Sequence, residues 1–397
     1  MDAETLDRLG TPDGLRALAL ADAQPDPGDV RAAQVLRGAF PVELAAAALT
    51  QASLRRRAVP KFGPRAPTMF FTPDGLEQAT RPEVAAHHAA RFVAAGVSRV
   101  VDLGCGIGSD ALAFAAAGLE VVAVEQDPAT AAIARLNLGP LAEVVVGDAE
   151  VLADELLRPG DGVFCDPARR TAAGRLWRVE DFTPSWTLVE RLLRSDSTPR
   201  LVAGIKLGPA LPHALIPDTA AAEWVSHRGD TVEVGLWPRA AGPDPRRSAM
   251  VLPGSRLVVP DDLPQLDTAE PLDYVYEPDG AVIRAGGVTT VGVLVAGALL
   301  HPKIAYLTSD VLVHTPFAAA FAVTAVLPYK EKVVRRWLRD HQVGTLEIKK
   351  RGVDVDPAQL RKRLGLQGDA RYSMLLTRTP RGAVAVMARR VLAESVG

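Results

Sequence analysis

Ser98-Arg99-Val100-Val101-Asp102-Leu103-Gly104-Cys105-Gly106-Ile107-Gly108-Ser109 is the stretch whose reading decides the fold. Its first half, SRVVDLG, is a short apolar run rich in β-branched residues, the pattern of a buried strand. Its second half places three glycines within five residues, so the backbone can turn sharply and approach a bound group closely. The following SDALAFAAAG has helical spacing, and the start of that helix offers free N–H groups to the turn. Strand, glycine turn and helix in this order open an α/β unit.

The pattern continues outward. LEVVAVE reads as a strand, ATAAIARLNLG as a helix, AEVVVGD as a strand, and GDGVFCDPARR as a strand ending in a polar loop. WTLVERLLRS is a helix and PRLVAGIKLG a strand. Strands alternating with helices imply a parallel sheet with right-handed crossovers. DTVEVGLWP and SAMVLPG read as strands around a turn, a terminal hairpin closing the sheet over residues 96–258. Upstream, residues 1–95 are helical in spacing (LRALALADA, VELAAAALTQASLRRR), with PKFGPRAPTMFFTPDG as an ordered loop or strand passage. Thr80-Arg81-Pro82-Glu83 reads as a capping box opening the helix EVAAHHAARFVAAG. Residues 259–325 are Pro-rich and read as a connector. Residues 326–397 form a small α+β unit, with helices VVRRWLRDH and AQLRKRLGL and strands GTLEIKKRG, RYSMLLTRT and AVAVMARRV.

The chain has 397 residues, so two or three domains are expected. Apolar residues make up 48% and charged residues 23%, which excludes a wholly disordered chain. The net charge of −2 argues against a uniformly basic nucleic-acid binder, but the charge is segregated. Residues 328–397 hold 16 basic and 7 acidic residues, or +9, against 29 and 40, or −11, in the remainder. A basic tail on an acidic body is a hint of nucleic-acid contact. Two cysteines, Cys105 and Cys165, cannot form a disulfide framework or a multi-cysteine zinc site and fit a reducing cytoplasm. The segment MDAETLDRLG has no apolar signal-peptide core, and Val288–Leu300 is too short to span a bilayer. His87-His88 has no partnered ligand spacing, so no metal is expected.

The chemistry-bearing residues fall at strand ends. Asp102 with Gly104, Gly106 and Gly108, followed by Glu125 and Gln126 at the next strand's end, forms a cofactor-binding constellation, Glu125 being placed to accept from ribose hydroxyls. The hydride-transfer fingerprint needs glycine at 109, where this chain has Ser109, which favours adenosylmethionine over a nicotinamide cofactor. Asp148, with Ala149 beside it, either accepts from an adenine amino group or caps a helix. Asp166-Pro167, after the fourth strand, occupies the catalytic position of such sheets. Arg169, Arg170, Arg175 and Arg178 follow, interleaved with Trp177 and Trp186. They form either a phosphate-and-base surface or a solvated basic loop with packed indoles. Cys165 is a buried small residue or, for attack at a pyrimidine carbon, a nucleophile. Lys349, Lys350 and Arg351, with Arg361-Lys362-Arg363, make the tail surface basic.

With these motifs in order, residues 98 to about 252 resemble the class I S-adenosylmethionine-dependent methyltransferases. Amino-directed members carry [DN]-P-P-[FYW]; this chain keeps Asp166 and Pro167 but has Ala168 and Arg169 where proline and the aromatic stand. As a whole it resembles bacterial methyltransferases with a C-terminal THUMP-like domain, marked by DPARR, FFTPDGLEQATRPEVAAHHAARF and LEIKKRG. ATRPEVAAHHAARF is also similar to the entry helix of RNA cap guanine-N2 methyltransferases, which implies that Thr80 and Glu83 help close the cofactor site. The resemblance implies a Rossmann-like seven-stranded sheet, S-adenosyl-L-methionine as cofactor, and a tail related to an RNA-binding module. Asp166 and Pro167 are then the catalytic pair. Arg169, Arg170, Trp177, Lys349, Lys350 and Arg351 are candidates for substrate binding. Three functions follow: methylation of a base nitrogen in RNA (rRNA or tRNA), methylation of a small molecule or protein, or a non-catalytic RNA-binding assembly factor.

Overall fold

The computed structural model describes residues 2–169, 179–194, 201–239 and 246–392. The chain forms two compact units, one of residues 1–221 and 234–244, the other of residues 222–233 and 245–397.

The first unit opens with helices α1 (Ala3–Leu9), α2 (Pro12–Asp22), α3 (Val30–Arg37) and α4 (Val42–Phe62). Asp2, Thr11 and Asp29 cap the first three by accepting backbone N–H groups of the first turn, which removes orphan donors. The presumed loop at 60–75 is mostly helical: α4 runs through Pro60, a 3-10 turn covers Gly63–Thr68, and α5 spans Pro73–Gln78. Helix α6 (Pro82–Ala94) follows. The α/β alternation then runs β1 (Arg99–Leu103), α7 (Ser109–Ala116), β2 (Glu120–Glu125), α8 (Pro128–Leu138), β3 (Glu143–Val146), α9 (Ala149–Leu156) and β4 (Gly162–Cys165). A ribbon of β5 (Ala168–Arg169) and β6 (Phe182–Thr183) precedes α10 (Trp186–Leu192) and β7 (Val202–Leu207). Strands β8 (Ala220–His227) and β9 (Asp230–Pro238) follow.

In the first unit the strand order is β9-β7-β4-β1-β2-β3. The last five are mutually parallel and β9 runs antiparallel to β7. Val100, Val101 and Leu103 are fully buried, as a parallel strand covered on both faces requires. Arg99 begins β1 from a buried ion pair with Asp161, just ahead of β4. Gly162 lets β4 pass under the Phe92 ring: a Cβ there would meet it at 2.8 Å.

The second unit contains the β8–β9 turn, in which Arg228 and Gly229 both have positive φ (55° and 86°), the hairpin conformation that matches strand twist. This corrects the expected hairpin. DTVEVGLWP pairs with the unrecognised strand AAAEWVSH, while SAMVLPG forms β10 (Arg247–Val251), parallel to β8 and antiparallel to β11 (Ser255–Val259). β8 and β11 are the two strands beyond the seven expected. The presumed connector is also structured. It contains β12 (Tyr274–Pro278), α11 (Gly280–Ala285), α12 (Val288–Leu294), β13 (Ala298–His301), β14 (Ile304–Ser309) and most of β15 (Ala318–Pro328). These join α13 (Glu331–Asp340), β16 (Val343–Lys350), α14 (Pro357–Leu364), β17 (Ala370–Thr379) and β18 (Gly382–Arg390) in a seven-stranded sheet, order β13-β14-β12-β15-β18-β17-β16. Prolines 260, 264 and 271 obscured the strands; β13 and β14 form a local hairpin, while β12 pairs far along the chain with β14 and β15.

Candidate active site

Register builds the site. Leu103 on β1 lies opposite Val124 on β2 and Cys165 on β4, and Cys165 lies opposite Ile205 on β7. The next residue on each is Gly104, Glu125, Asp166 or Lys206, so these four form one row at the carboxyl edge of the parallel strands. In such sheets ligands sit at that edge.

The glycine turn forms one half of the site. Gly104 (φ 93°) and Gly106 (φ 56°) adopt backbone conformations that side chains resist. A Cβ built on Gly106 meets nothing within 4 Å, so the turn leaves open space there, while one on Gly104 points toward the Asp166 carbonyl oxygen, 3.9 Å away. Gly108 is the N-cap of α7. The Glu125 carboxylate is fixed by two backbone donors, Gly106 N–H at 3.0 Å and Asp127 N–H at 2.9 Å. Gln126 is exposed beside it. Asp102 is 1% exposed, and its Oδ2 has no hydrogen-bond partner among the described residues. Burial, followed by the nearby Asp110 and Asp166, pushes its carboxyl well above the ordinary range. Asp148 is the N-cap of α9 and accepts the Glu150 N–H at 2.9 Å, with buried Ala149 beside it.

The other half is assembled from distant segments. Lys206 forms an ion pair with Asp166 Oδ2 and donates to Thr80 Oγ1 at 3.0 Å. Thr80 donates its hydroxyl hydrogen to Asp110 Oδ2 at 2.5 Å, and Asp110 Oδ1 lies 2.8 Å from His88 Nδ1. Ser109 Oγ donates to the Thr80 carbonyl at 2.8 Å. Burial opposes charge on Asp110, yet His88, Lys206 and Thr80 together hold its carboxyl below the ordinary range. This replaces the capping box: Pro82 at the first helical position makes Arg81 the N-cap, with no side-chain cap, so Thr80 stands one residue too early and turns to Asp110. Glu83 lies in the first turn of α6. Sequence reading missed Lys206; its signal was a lone cation in the apolar strand VAGIKL.

Pro167 is buried after Asp166. Arg169 lies on β5, and Arg170, Arg175, Trp177 and Arg178 lie outside the described residues. Trp186 packs on Phe182 and donates to Glu190 at 3.1 Å. Cys165 is wholly buried and burial raises its thiol well above the usual range, a state unsuited to a nucleophile. In the second unit, Glu277 engages Lys349 at 2.6 Å and Arg351 at 3.8 Å, while Lys350 is exposed. Among the described residues no helix is long and apolar enough to cross a membrane, and no metal-ligand cluster is found.

The strand order, the glycine turn after β1 and the acids ending β2 and β4 define a class I methyltransferase sheet. A methyltransferase domain family matches residues 101–165, a THUMP domain-like family residues 318–390, and a domain of unknown function residues 2–58. Two relatives from Mycobacterium tuberculosis, strains CDC 1551 and H37Rv, are described as uncharacterized S-adenosylmethionine-dependent methyltransferases. Each is 32% identical over 342 residues, covering 83% of this chain and 92% of the relative. The chain belongs to the S-adenosylmethionine-dependent methyltransferases, with a THUMP-like domain and S-adenosyl-L-methionine as cofactor. A crystal structure from Porphyromonas gingivalis W83, provisionally assigned to the methyltransferases, shares the fold at TM-score 0.75 and 22% identity, covering 95% of this chain and 99% of that one.

The residues present fit that cofactor. The orphaned Asp102 oxygen suits the ammonium of a methionyl group, and the open turn at Gly106 admits a ligand against backbone. The two Glu125 oxygens retain acceptor capacity beyond the one backbone donor each receives.

Proposed function

We propose that this protein methylates a base nitrogen of RNA (rRNA or tRNA) in the cytoplasm, with residues 96–258 handling the cofactor and residues 326–397 holding the RNA. The observation that carries the acceptor chemistry is the row placing Asp166 level with the glycine turn. The cofactor supplies a methyl group already activated on a sulfonium. The protein's part is then alignment. Asp166 accepts one acceptor N–H, directing the nitrogen lone pair, and a carbonyl near Pro167-Ala168 accepts a second. Asp102, Gly104, Gly106, Gly108, Glu125 and Gln126 line the cofactor, Asp148 and Ala149 its adenine, and Thr80 and Glu83 its entrance.

Three features support an RNA acceptor. The tail matches a THUMP domain-like family. Helix α13 buries Val334 and Leu338 while exposing Lys332, Arg335, Arg336 and Arg339, a cationic face suited to phosphates. Near the site, burial and then the charges of Lys206 and Arg81 lower Lys61 to about 8, so Lys61 lies in the field of the cation that pairs with Asp166. Arg169, Arg170, Trp177, Lys349, Lys350 and Arg351 are assigned to substrate contact, with Lys349 and Arg351 reaching phosphate only by sharing Glu277. The two free cysteines suit the cytoplasm. Nucleoside mass spectrometry of RNA from cells with and without the gene tests the proposal. One methylated nucleoside is expected to vanish with the gene, and an unchanged nucleoside profile would overturn the RNA acceptor.

A further inference from the structure

We propose that Lys206 is a positioning residue for methyl transfer, holding the Asp166 carboxylate charged and fixed in direction through a hydrogen-bonded chain anchored at His88. The inference rests on reading Asp166 as the residue that faces the methyl acceptor.

The chain runs through five parts of the first unit. Lys206 comes from β7, Asp166 from the loop after β4, Thr80 from the segment before α6, Asp110 from α7 and His88 from α6. Hydrogen-bond chemistry fixes its direction. Thr80 has one hydroxyl hydrogen, and it goes to Asp110, which when ionised can only accept. The Thr80 oxygen therefore accepts from Lys206, whose ammonium reaches Asp166 as well. His88, 2% exposed, lies against the Phe164 ring at 4.9 Å and sets the far end of the chain. The lysine stem is free to rotate in isolation, but its head is held between two partners, one of them buried. A side chain fixed before the reaction orients its neighbour at no cost during it.

Electrostatics favours such a cation. Asp102 on β1 and Asp110 on α7 both act on this region, with Glu125 beyond Asp102 and Glu150 acting near Cys165. Lys61 on α4 and Arg81 bring further positive charge, but Lys61 is engaged by the Leu76 and Glu77 carbonyls, each at 2.8 Å. Lys206 is in direct contact with the Asp166 carboxylate. Without it, Asp166 loses an opposite charge in direct contact, and that loss favours its protonation. A protonated Asp166 would no longer be a pure acceptor for an acceptor N–H.

The experiment follows the Asp166 carboxyl by 13C NMR in full-length protein with labelled aspartate, its signal identified by its loss in Asp166→Asn. Lys206→Met is expected to move the Asp166 titration up by about one pH unit or more. Lys206→Arg, which keeps the charge, is expected to return it most of the way, and the acid limb of methyl transfer into bulk RNA should move in parallel. Lys206→Gln provides the same reading if the methionine variant does not fold. An Asp166 titration unmoved by both neutral variants would overturn the proposal. Because the titration needs no acceptor, absence of transfer into RNA by the wild-type protein would count against the RNA reading alone.

Discussion

The two halves of the active site are built in opposite ways. The glycine-turn half comes largely from one continuous run, Asp102 to Gly108, closed by Glu125 only 19 residues beyond Gly106. The Asp166 half joins Lys206 to Thr80 across 126 residues and to Asp166 across 40. A contiguous site is determined by local backbone preferences, so its mutations act on the ligand that backbone touches. An assembled site depends on register between strands, so its mutations spread through partners. The comparison predicts that damage to the first half is confined to cofactor binding, whereas damage to the second reaches acceptor chemistry and stability together.

Thr80→Val would break the assembled half most severely. It removes a buried donor from Asp110 and an acceptor from Lys206, at a cost of about 2 kcal/mol. Thermal or denaturant unfolding should show that loss, and methyl transfer should fall about tenfold. Retention of both would mean that the chain is incidental. Gly104→Ala probes the contiguous half. Alanine at φ 93° is strained by about 1–2 kcal/mol, so S-adenosylhomocysteine binding by calorimetry should weaken about tenfold. A loss of transfer with binding intact would erase the distinction between the halves.

The smallest effect concerns pH. Lys61 falls to about 8 from 10.5, chiefly through burial. Between those values the unfolded chain holds a proton that the folded protein lacks, so this group makes stability rise with pH from about 8 to 10.5. Below 8 the cost of charging is fully present. Lys61→Met should flatten that slope in denaturation measured at pH 7.5 and 10.

The same contrast explains what could be read from sequence. The α/β alternation, the glycine turn and the acids at 102, 125, 148 and 166 were legible because each depends on a strand and the residues just after it. Lys206 was not, since only the Cys165–Ile205 register brings it level with Asp166. Thr80 was misread because its local sequence suits a cap equally well, and tertiary partners decided otherwise. AAAEWVSH hid β8 because Glu223 and His227 look solvent-facing yet are buried, Glu223 paired with Arg256 at 2.9 Å. The core of 259–325 joins Val275, Leu300 and Tyr306 to Phe321, Leu375 and Val386, neighbours that no local window contains.

The central claim is that Asp166 serves the acceptor while the glycine turn serves the cofactor. It is tested most directly by Asp166→Ala, with transfer from labelled S-adenosylmethionine into RNA from gene-deleted cells and S-adenosylhomocysteine binding measured on the same preparation. A loss of transfer of at least about 100-fold, with binding within about twofold of wild type, is the expected result. Transfer at the wild-type rate would contradict it.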